Sequence, residues 1–140
     1  MASQAENVAR VQEGLDAFNR SDVESVLALL ADEVEIFSSP ELANPGSYRG
    51  HEGYLRWVGQ WLDAWDELEL ELQRMEAVGE RHAIAEVRQV ARGRGSGIAV
   101  DMLVTFMWEL DDEAMTALHL YPTWDVARKV AERREREGAE

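Results

Sequence analysis

The feature that most constrains this sequence is a long stretch of alternating apolar residues between Ile98 and Tyr121. Side chains at every second position of a strand share one face, so the stretch predicts two strands, Ile98 to Leu110 and Ala114 to Tyr121. The polar residues 111–113 indicate the turn between them. We interpret this hairpin as the back wall of a pocket. The face expected to line the pocket carries Met102, Val104, Phe106 and Trp108 on the first strand, and Ala117, His119 and Tyr121 on the second.

The first half of the chain predicts three helices. Apolar residues at helical spacing predict a helix over about residues 5–19. A short helix follows from Ser21, with Glu24 three residues on, as in a capping box. A third helix is expected from Gly50 to about Trp65, and spacings of three and four residues align its aromatic side chains along one side. This stripe is interpreted either as core packing or as the lining of a ligand cavity, and it consists of Tyr54, Trp57, Trp61 and Trp65.

The remaining strands are expected at Val34 to Phe37, Leu68 to Val78 and His82 to Arg92, with a Pro- and Gly-containing loop over residues 38–48. The charged residues 126–140 predict a solvated helix that frays. The expected division is therefore a domain over residues 1–125 and a charged C-terminal tail over residues 126–140. Helices followed by antiparallel strands indicate the α+β class. The architecture expected is a cone-shaped, curved antiparallel sheet wrapped around the N-terminal helices, a cystatin-like α+β barrel.

Composition narrows the classes of partner. The chain has 140 residues with 46% hydrophobic content, which fits one globular domain. It carries 14 Lys plus Arg against 28 Asp plus Glu, a net charge of −14. A surface this acidic repels phosphate backbones and anionic lipids, so we expect neither nucleic-acid nor membrane binding. The absence of cysteine and of a long apolar run leads us to expect a soluble, cytoplasmic protein.

Three segments carry a resemblance to a known family: Ala17-Phe18-Asn19-Arg20-Ser21-Asp22, the run over residues 27–34, and Arg49-Gly50-His51-Glu52-Gly53. In their order and spacing they resemble the SnoaL-like proteins of the nuclear-transport-factor-like superfamily, which includes ketosteroid isomerase. The resemblance implies a cone-shaped α+β fold, a hydrophobic cavity and a homodimer. Members of the family include polyketide cyclases, isomerases, dehydratases, epoxide hydrolases and non-enzymatic binders, so the fold alone assigns no function.

The catalytic residues that the resemblance implies are only partly present in this sequence. The ketosteroid isomerase pattern of an aspartate base, a tyrosine and a protonated aspartic acid falls on Ser38, Gly14 and Val104, none of which is the required residue. The Arg-x-Asp pair of limonene epoxide hydrolase falls on residues 88–90, Arg-Gln-Val, which lack the acid. Cyclases of the SnoaL type place an acid/base residue on the last strand, where this chain has His119.

The candidate catalytic residues are therefore His119, as an acid/base kept neutral by an apolar pocket, and Tyr121, as a donor to a ligand oxygen. A purely structural role is the alternative for each. The histidine spacing does not indicate a metal site, and no glycine-rich phosphate loop opens a helix, so no metal or cofactor is expected. The residues expected to bind the ligand are Leu15, Phe18, Ser38, Trp57, Trp61, Gln89, Val104 and Phe106.

Two functions follow from these candidates. The first is binding of a hydrophobic small molecule in an apolar cavity. The alternative is a small enzyme of the isomerase, cyclase or hydrolase type, which acts on a hydrophobic carbonyl compound with His119 as acid/base. A homodimer is also expected, because Ile84, Leu103 and Met107 on the face away from the pocket need cover.

Overall fold

The computed structural model of the chain describes residues 3–38 and 46–138. Within these residues the helices are α1 (Gln4–Asn19), α2 (Val23–Leu29), α3 (Gly50–Ala64) and α4 (Trp124–Gly138). The strands are β1 (Leu30–Ser38), β2 (Gly46–Arg49), β3 (Trp65–Val78), β4 (His82–Gly93), β5 (Ala99–Leu110) and β6 (Met115–Tyr121). None of the helices in the described ranges is long and apolar enough to cross a membrane.

The strands form one curved, unclosed sheet in the order β2-β1-β6-β5-β4-β3. The α+β class and the cone-like architecture expected from the sequence are confirmed. One detail differs, because β1 and β6 run parallel while the other neighbours are antiparallel, so the sheet is mixed. A parallel pair needs a long crossover, and here the crossover contains α3 and the strands β3 to β5.

The register of the β5–β6 hairpin decides which side chains face the interior. Phe106 pairs with Leu120 and Trp108 pairs with Leu118, so these four residues share the inner, concave face. His119 pairs with Met107 on the outer face. The sequence prediction that placed His119 beside Phe106 is therefore wrong. Its cause is that residues 117–121 of β6 put apolar or aromatic side chains on both faces, so that alternation did not reveal which set points inward.

Helices α1 and α3 cover the inner face and complete the main core. Val11 and Leu15 of α1 and Trp57 and Trp61 of α3 are buried against the sheet. At its C-terminal end α1 is fastened to β3 by Asn19. The Nδ2 of Asn19 donates to the carbonyl of Leu70 at 2.8 Å, and the Leu70 N–H donates to Asn19 Oδ1 at 2.9 Å. The helix that roofs the interior is thus fixed in register with the strand below it.

Helix α4 covers part of the outer face, where a solvated, fraying helix had been expected. Its residues Trp124, Ala127 and Ala131 are buried against Ile84 of β4 and Met107 of β5. The small alanines allow the helix axis to approach the sheet closely. In the sequence this narrow apolar stripe is hidden among charged residues, which dominate the composition of residues 126–140. The helix is therefore packed rather than solvated.

Three local boundaries also differ from the sequence predictions. The N-cap of α2 is Asp22, whose carboxylate accepts from the Ser25 N–H, and not Ser21. Trp65 begins β3 opposite Gly93 rather than ending α3. Residues 46–48, expected to be loop, belong to the edge strand β2, while residues 39–45 of that predicted loop lie outside the described residues.

Candidate functional site

The interior between α1, α3 and the sheet contains two small cavities of about 30 Å³ each. Trp57 and Trp61 line both of them, so the two cavities share these side chains as a common part of their lining. The lining of the first cavity is Val11, Gly14, Leu15, Phe18, Val26, Tyr54, Trp57, Trp61, Leu70, Phe106, Trp108, Met115 and Leu118. The lining of the second is Trp57, Trp61, Trp65, Gln89, Met102, Val104 and Leu120.

Most of the residues predicted to bind a ligand lie at these two cavities. Ser38 differs, since it lines neither. It lies on the inner face next to Leu120 in the register of β1 and β6, and its hydroxyl is buried. Whether these residues bind a ligand stays a prediction. Those at the first cavity alone are Leu15, Phe18 and Phe106, those at the second alone are Gln89 and Val104, and Trp57 and Trp61 belong to both.

His119 and Tyr121, the predicted catalytic pair, lie outside this interior on the outer face of the sheet. The ring of His119 stacks on Phe37, with centroids 4.8 Å apart, and more distantly on Tyr121, with centroids 6.3 Å apart. His119 is buried, yet it is buried beside α4 and not against the cavities. An imidazole in this position has no access to a ligand held between α1, α3 and the sheet.

A charge cluster surrounds His119 on the outer face, centred on Glu109. The Oε1 of Glu109 lies 2.6 Å from Arg134 Nη1, 3.3 Å from His82 Nε2 and 3.7 Å from His119 Nε2. The hydrogen bond from His82, with the nearby Arg134 charge, lowers the pKa of Glu109 to about 2. Burial, assisted by the Arg134 charge, lowers the pKa of His119 to about 4 against the opposing pull of Glu109. His119 is therefore neutral at pH 7.

His82, the first residue of β4, is 4% exposed. One ring nitrogen contacts Glu109 and the other, Nδ1, contacts Glu135 of α4. This imidazole therefore links the sheet to α4. In the described ranges, no group of three or more His, Asp or Glu side chains is arranged to hold a metal ion.

The interior also contains polar atoms that the sequence analysis missed. They are the indole Nε1 atoms of Trp65 and Trp108, which are buried and have no hydrogen-bond partner among the described residues. The hydroxyl of Ser38, which the sequence did single out, is buried without such a partner as well. Trp108 lines the first cavity and Trp65 the second. An indole carries one N–H donor, and a buried one ordinarily finds an acceptor. Counting these donors from the sequence was possible, but the tryptophans were treated as purely apolar rings.

Comparison with known proteins identifies the family. A model of the SnoaL-like domain matches residues 11–118, which is most of the chain. The chain belongs to the SnoaL-like family. Among curated proteins, none matches it.

Solved structures share the fold of this SnoaL-like domain at low sequence identity. An NTF2-like protein of unknown function from Burkholderia pseudomallei aligns with a TM-score of 0.76 and 16% identity, covering 93% of this chain and 98% of its own. A polyketide cyclase candidate from Xanthomonas campestris pv. campestris aligns with a TM-score of 0.75 and 18% identity, covering 93% and 99%. TerC, co-crystallized with polyporic acid, aligns with a TM-score of 0.74 and 14% identity, covering 90% and 98%.

The catalytic positions of the family can now be located in this SnoaL-like domain. Gly14 lines the first cavity and Val104 the second, and neither carries a titratable group. Arg88 pairs with Leu103 in the sheet and forms an ion pair with Asp101 on the outer face, away from Gln89. Among the described lining residues, the side chain that can ionise is Tyr54, and burial raises its pKa further above the neutral range. The lining therefore offers no group that exchanges a proton near pH 7.

Proposed function

We propose that this SnoaL-like domain binds a neutral, hydrophobic small molecule in the interior between α1, α3 and the sheet. The observation that carries the proposal is the pair of apolar cavities that meet at Trp57 and Trp61. Membership of the SnoaL-like family supports a small-molecule-binding domain. The neighbour TerC, which was co-crystallized with polyporic acid, supports binding of an organic ligand by this fold.

Binding requires the interior to open. Each cavity is about 30 Å³, whereas sites for drug-sized ligands occupy roughly 300–1,000 Å³. Rotation of Trp57 and Trp61 is the movement that we expect to join the two cavities, because these side chains line both of them. The apolar surface buried by a ligand contributes about 25 cal/mol per Å², and part of this offsets the cost of moving the rings. We therefore expect slow, temperature-dependent association.

The lining selects against charged ligands. It contains no Arg or Lys at either cavity within the described residues, so a phosphate or carboxylate would lose its hydration without gaining a counter-charge. The net charge of −14 also disfavours the approach of anions. Neutral compounds with a large apolar surface fit these conditions best.

The position of His119 supports binding over catalysis. The enzyme alternative needs an acid/base residue beside the ligand, and His119 lies on the opposite face of the sheet from the cavities. An enzyme of this kind would have to take its base from outside the described lining. Binding without turnover needs no such residue.

A thermal-shift screen of neutral hydrophobic compounds against phosphorylated metabolites tests the proposal. We expect the hydrophobic compounds to raise the melting temperature and to quench tryptophan fluorescence. Stabilisation by phosphorylated compounds alone would contradict it.

A substitution in α3 tests whether the ligand binds in this interior. Trp57→Ala should lower the free energy of unfolding by about 3–5 kcal/mol, as truncations of buried aromatic residues do, and should change the thermal shift given by each hit. The matched control is Leu55→Ala, because Leu55 lies on the same helix and is 43% exposed. The control should alter neither quantity by much. Equal behaviour of the two variants would place the ligand elsewhere.

A further inference from the structure

We propose that the two cavities receive opposite ends of one ligand, with its oxygen in the second cavity and its hydrocarbon part in the first. This inference rests on the proposed function, because it concerns the same interior. It adds an orientation, in which the oxygen of a neutral carbonyl compound, such as a ketone or quinone, meets the donors of Gln89 and Trp65.

The second cavity holds the polar end because Gln89 lines it. Gln89 is 4% exposed and lies on the inner face of β4, paired with Leu70 and Met102 in neighbouring strands. A buried carboxamide brings two donor hydrogens and an acceptor oxygen into an otherwise apolar site, and buried polar groups are ordinarily hydrogen-bonded. Gln89 is therefore a site for a ligand atom that can accept or donate.

Trp65 indicates that this ligand atom is a hydrogen-bond acceptor. Its ring lines the same cavity, and its buried Nε1–H has no partner among the described residues. An indole N–H donates and cannot accept, so the group that satisfies it must be an acceptor. A carbonyl oxygen has two lone pairs, which can take one hydrogen from the indole and one from the Gln89 carboxamide. A hydrocarbon of the same shape leaves both donors without a ligand partner.

The first cavity suits the hydrocarbon end. Its lining contains no carboxamide, and the side chains contributed by α1 and α2 are wholly apolar. The competing donor there is the Trp108 indole, whose Nε1 is also buried and without a partner among the described residues. The two orientations therefore differ in which indole meets the oxygen, Trp65 or Trp108.

The experiment compares 9-fluorenone with fluorene, which have the same ring system with and without a carbonyl. Equilibrium dialysis gives a Kd for each, and the quantity followed is the ratio of the fluorene Kd to the fluorenone Kd. In Gln89→Leu and in Trp65→Phe we expect this ratio to fall on the order of threefold to tenfold, the value of one hydrogen bond. Comparing ratios cancels the different hydrophobicities of the two probes.

The matched control is Trp124→Phe, which removes the indole N–H of the first residue of α4, on the outer face, and should leave the ratio unchanged. Gln89→Met replaces Gln89→Leu if the latter does not fold. A fall in the ratio for Trp108→Phe, with none for Gln89→Leu or Trp65→Phe, would reverse the orientation and overturn the inference. Binding of both probes with the same ratio in every variant would overturn the inference and leave the proposed function standing. Binding of neither probe would overturn both.

Discussion

Asn19 shows how one residue of the family-like segment 17–22 supports the fold. Strand β3 is at the edge of the sheet, so the outward backbone groups of Leu70 have no strand to pair with. Asn19 satisfies both of them with its carboxamide. It therefore fastens α1 and also protects the edge from pairing with another chain.

Replacing Asn19 should be costly for this reason. In Asn19→Ala the N–H and the carbonyl of the buried Leu70 lose their partners, and we expect a loss of about 1–3 kcal/mol in the free energy of unfolding. Urea denaturation measures it. Gln12→Ala is the control, because Gln12 is on the exposed side of α1 and bonds only Asp16 among the described residues. If Gln12→Ala lost as much unfolding free energy as Asn19→Ala, the two hydrogen bonds between Asn19 and Leu70 would not be the cause of the loss.

His119 should make stability depend on pH. Its pKa is about 4 in the folded chain and close to 6.5 when unfolded, so the unfolded chain binds more protons between these values. The contribution of neutral His119 to the free energy of unfolding is therefore fully present above pH 6.5. It is lost as the pH drops towards 4, and the loss is on the order of 3 kcal/mol at most. In His119→Gln this part of the slope should be absent. Urea denaturation between pH 4.5 and 7.5 tests it, and equal slopes in both proteins would contradict the assignment.

The residue scale also shows where sequence reasoning stops. In β4 the polar Arg88 lies between Val87 and Gln89, so the alternation of residue types there indicates which side chains share a face. In β6 the residues 117–121 are apolar or aromatic on both faces, since one face meets the core and the other lies on the side that α4 covers. Alternation then carries no information about direction. Only the register with β5 places His119 outside the interior.

At the scale of elements, most helices and strands could be predicted because their periodicity is strong. The aromatic spacing of α3 gave the wrong C-terminal boundary for this helix, because Trp65 continues the helical period and yet begins β3. Its pairing with Gly93 in the β3–β4 ladder outweighs the local pattern. Helix α4 was predicted as a helix, but its packing was not, because Ala127 and Ala131 are too small to stand out in a charged sequence.

The packing of α4 gives a direct test. Ala131 is completely buried, so Ala131→Gln forces a larger polar side chain against the sheet and should cost about 1–3 kcal/mol. Amide hydrogen exchange of α4 should accelerate in this variant. Lys129→Gln places the same side chain on the exposed side of the helix and should leave exchange unchanged. Slow exchange in both variants would mean that α4 does not depend on this contact.

At the scale of the whole molecule, the class and the cone were predictable, and the strand order was not. Helical and strand periods are local, and their order along the chain indicates α+β. The parallel pairing of β1 with β6 depends on how the sheet curves around α1 and α3, which no local pattern encodes. The same curvature of the sheet determines which side chains meet in the interior.

The homodimer stays a prediction, and its basis has changed. Of the three residues expected to need cover, Ile84 and Met107 are buried by α4 of the same chain, while Leu103 is 51% exposed. Phe37 of β1 is also exposed on the outer face, where α4 packs on β4 and β5. An uncovered apolar surface of this kind is typical of an interface. We therefore propose that two outer faces meet in a dimer.

Light scattering at micromolar concentration should give twice the chain mass of 15.8 kDa. Leu103→Lys should shift the mass towards that of one chain. Leu62→Lys is the control, because Leu62 is exposed on α3, on the other side of the sheet. A single-chain mass for the unmodified protein would count against the dimer.

The parallel pair β1–β6 has a consequence for synthesis in the cell. Ile36 of β1 pairs with Leu118 of β6, about 80 residues later in the chain. At roughly 5–20 residues per second, β1 leaves the ribosome on the order of 4–16 s before its partner exists. During that interval its apolar side chains can be covered only by the nascent helices or by a chaperone. Contacts this distant in sequence also slow folding, so the pairing of β1 with β6 should be the last step in forming the sheet.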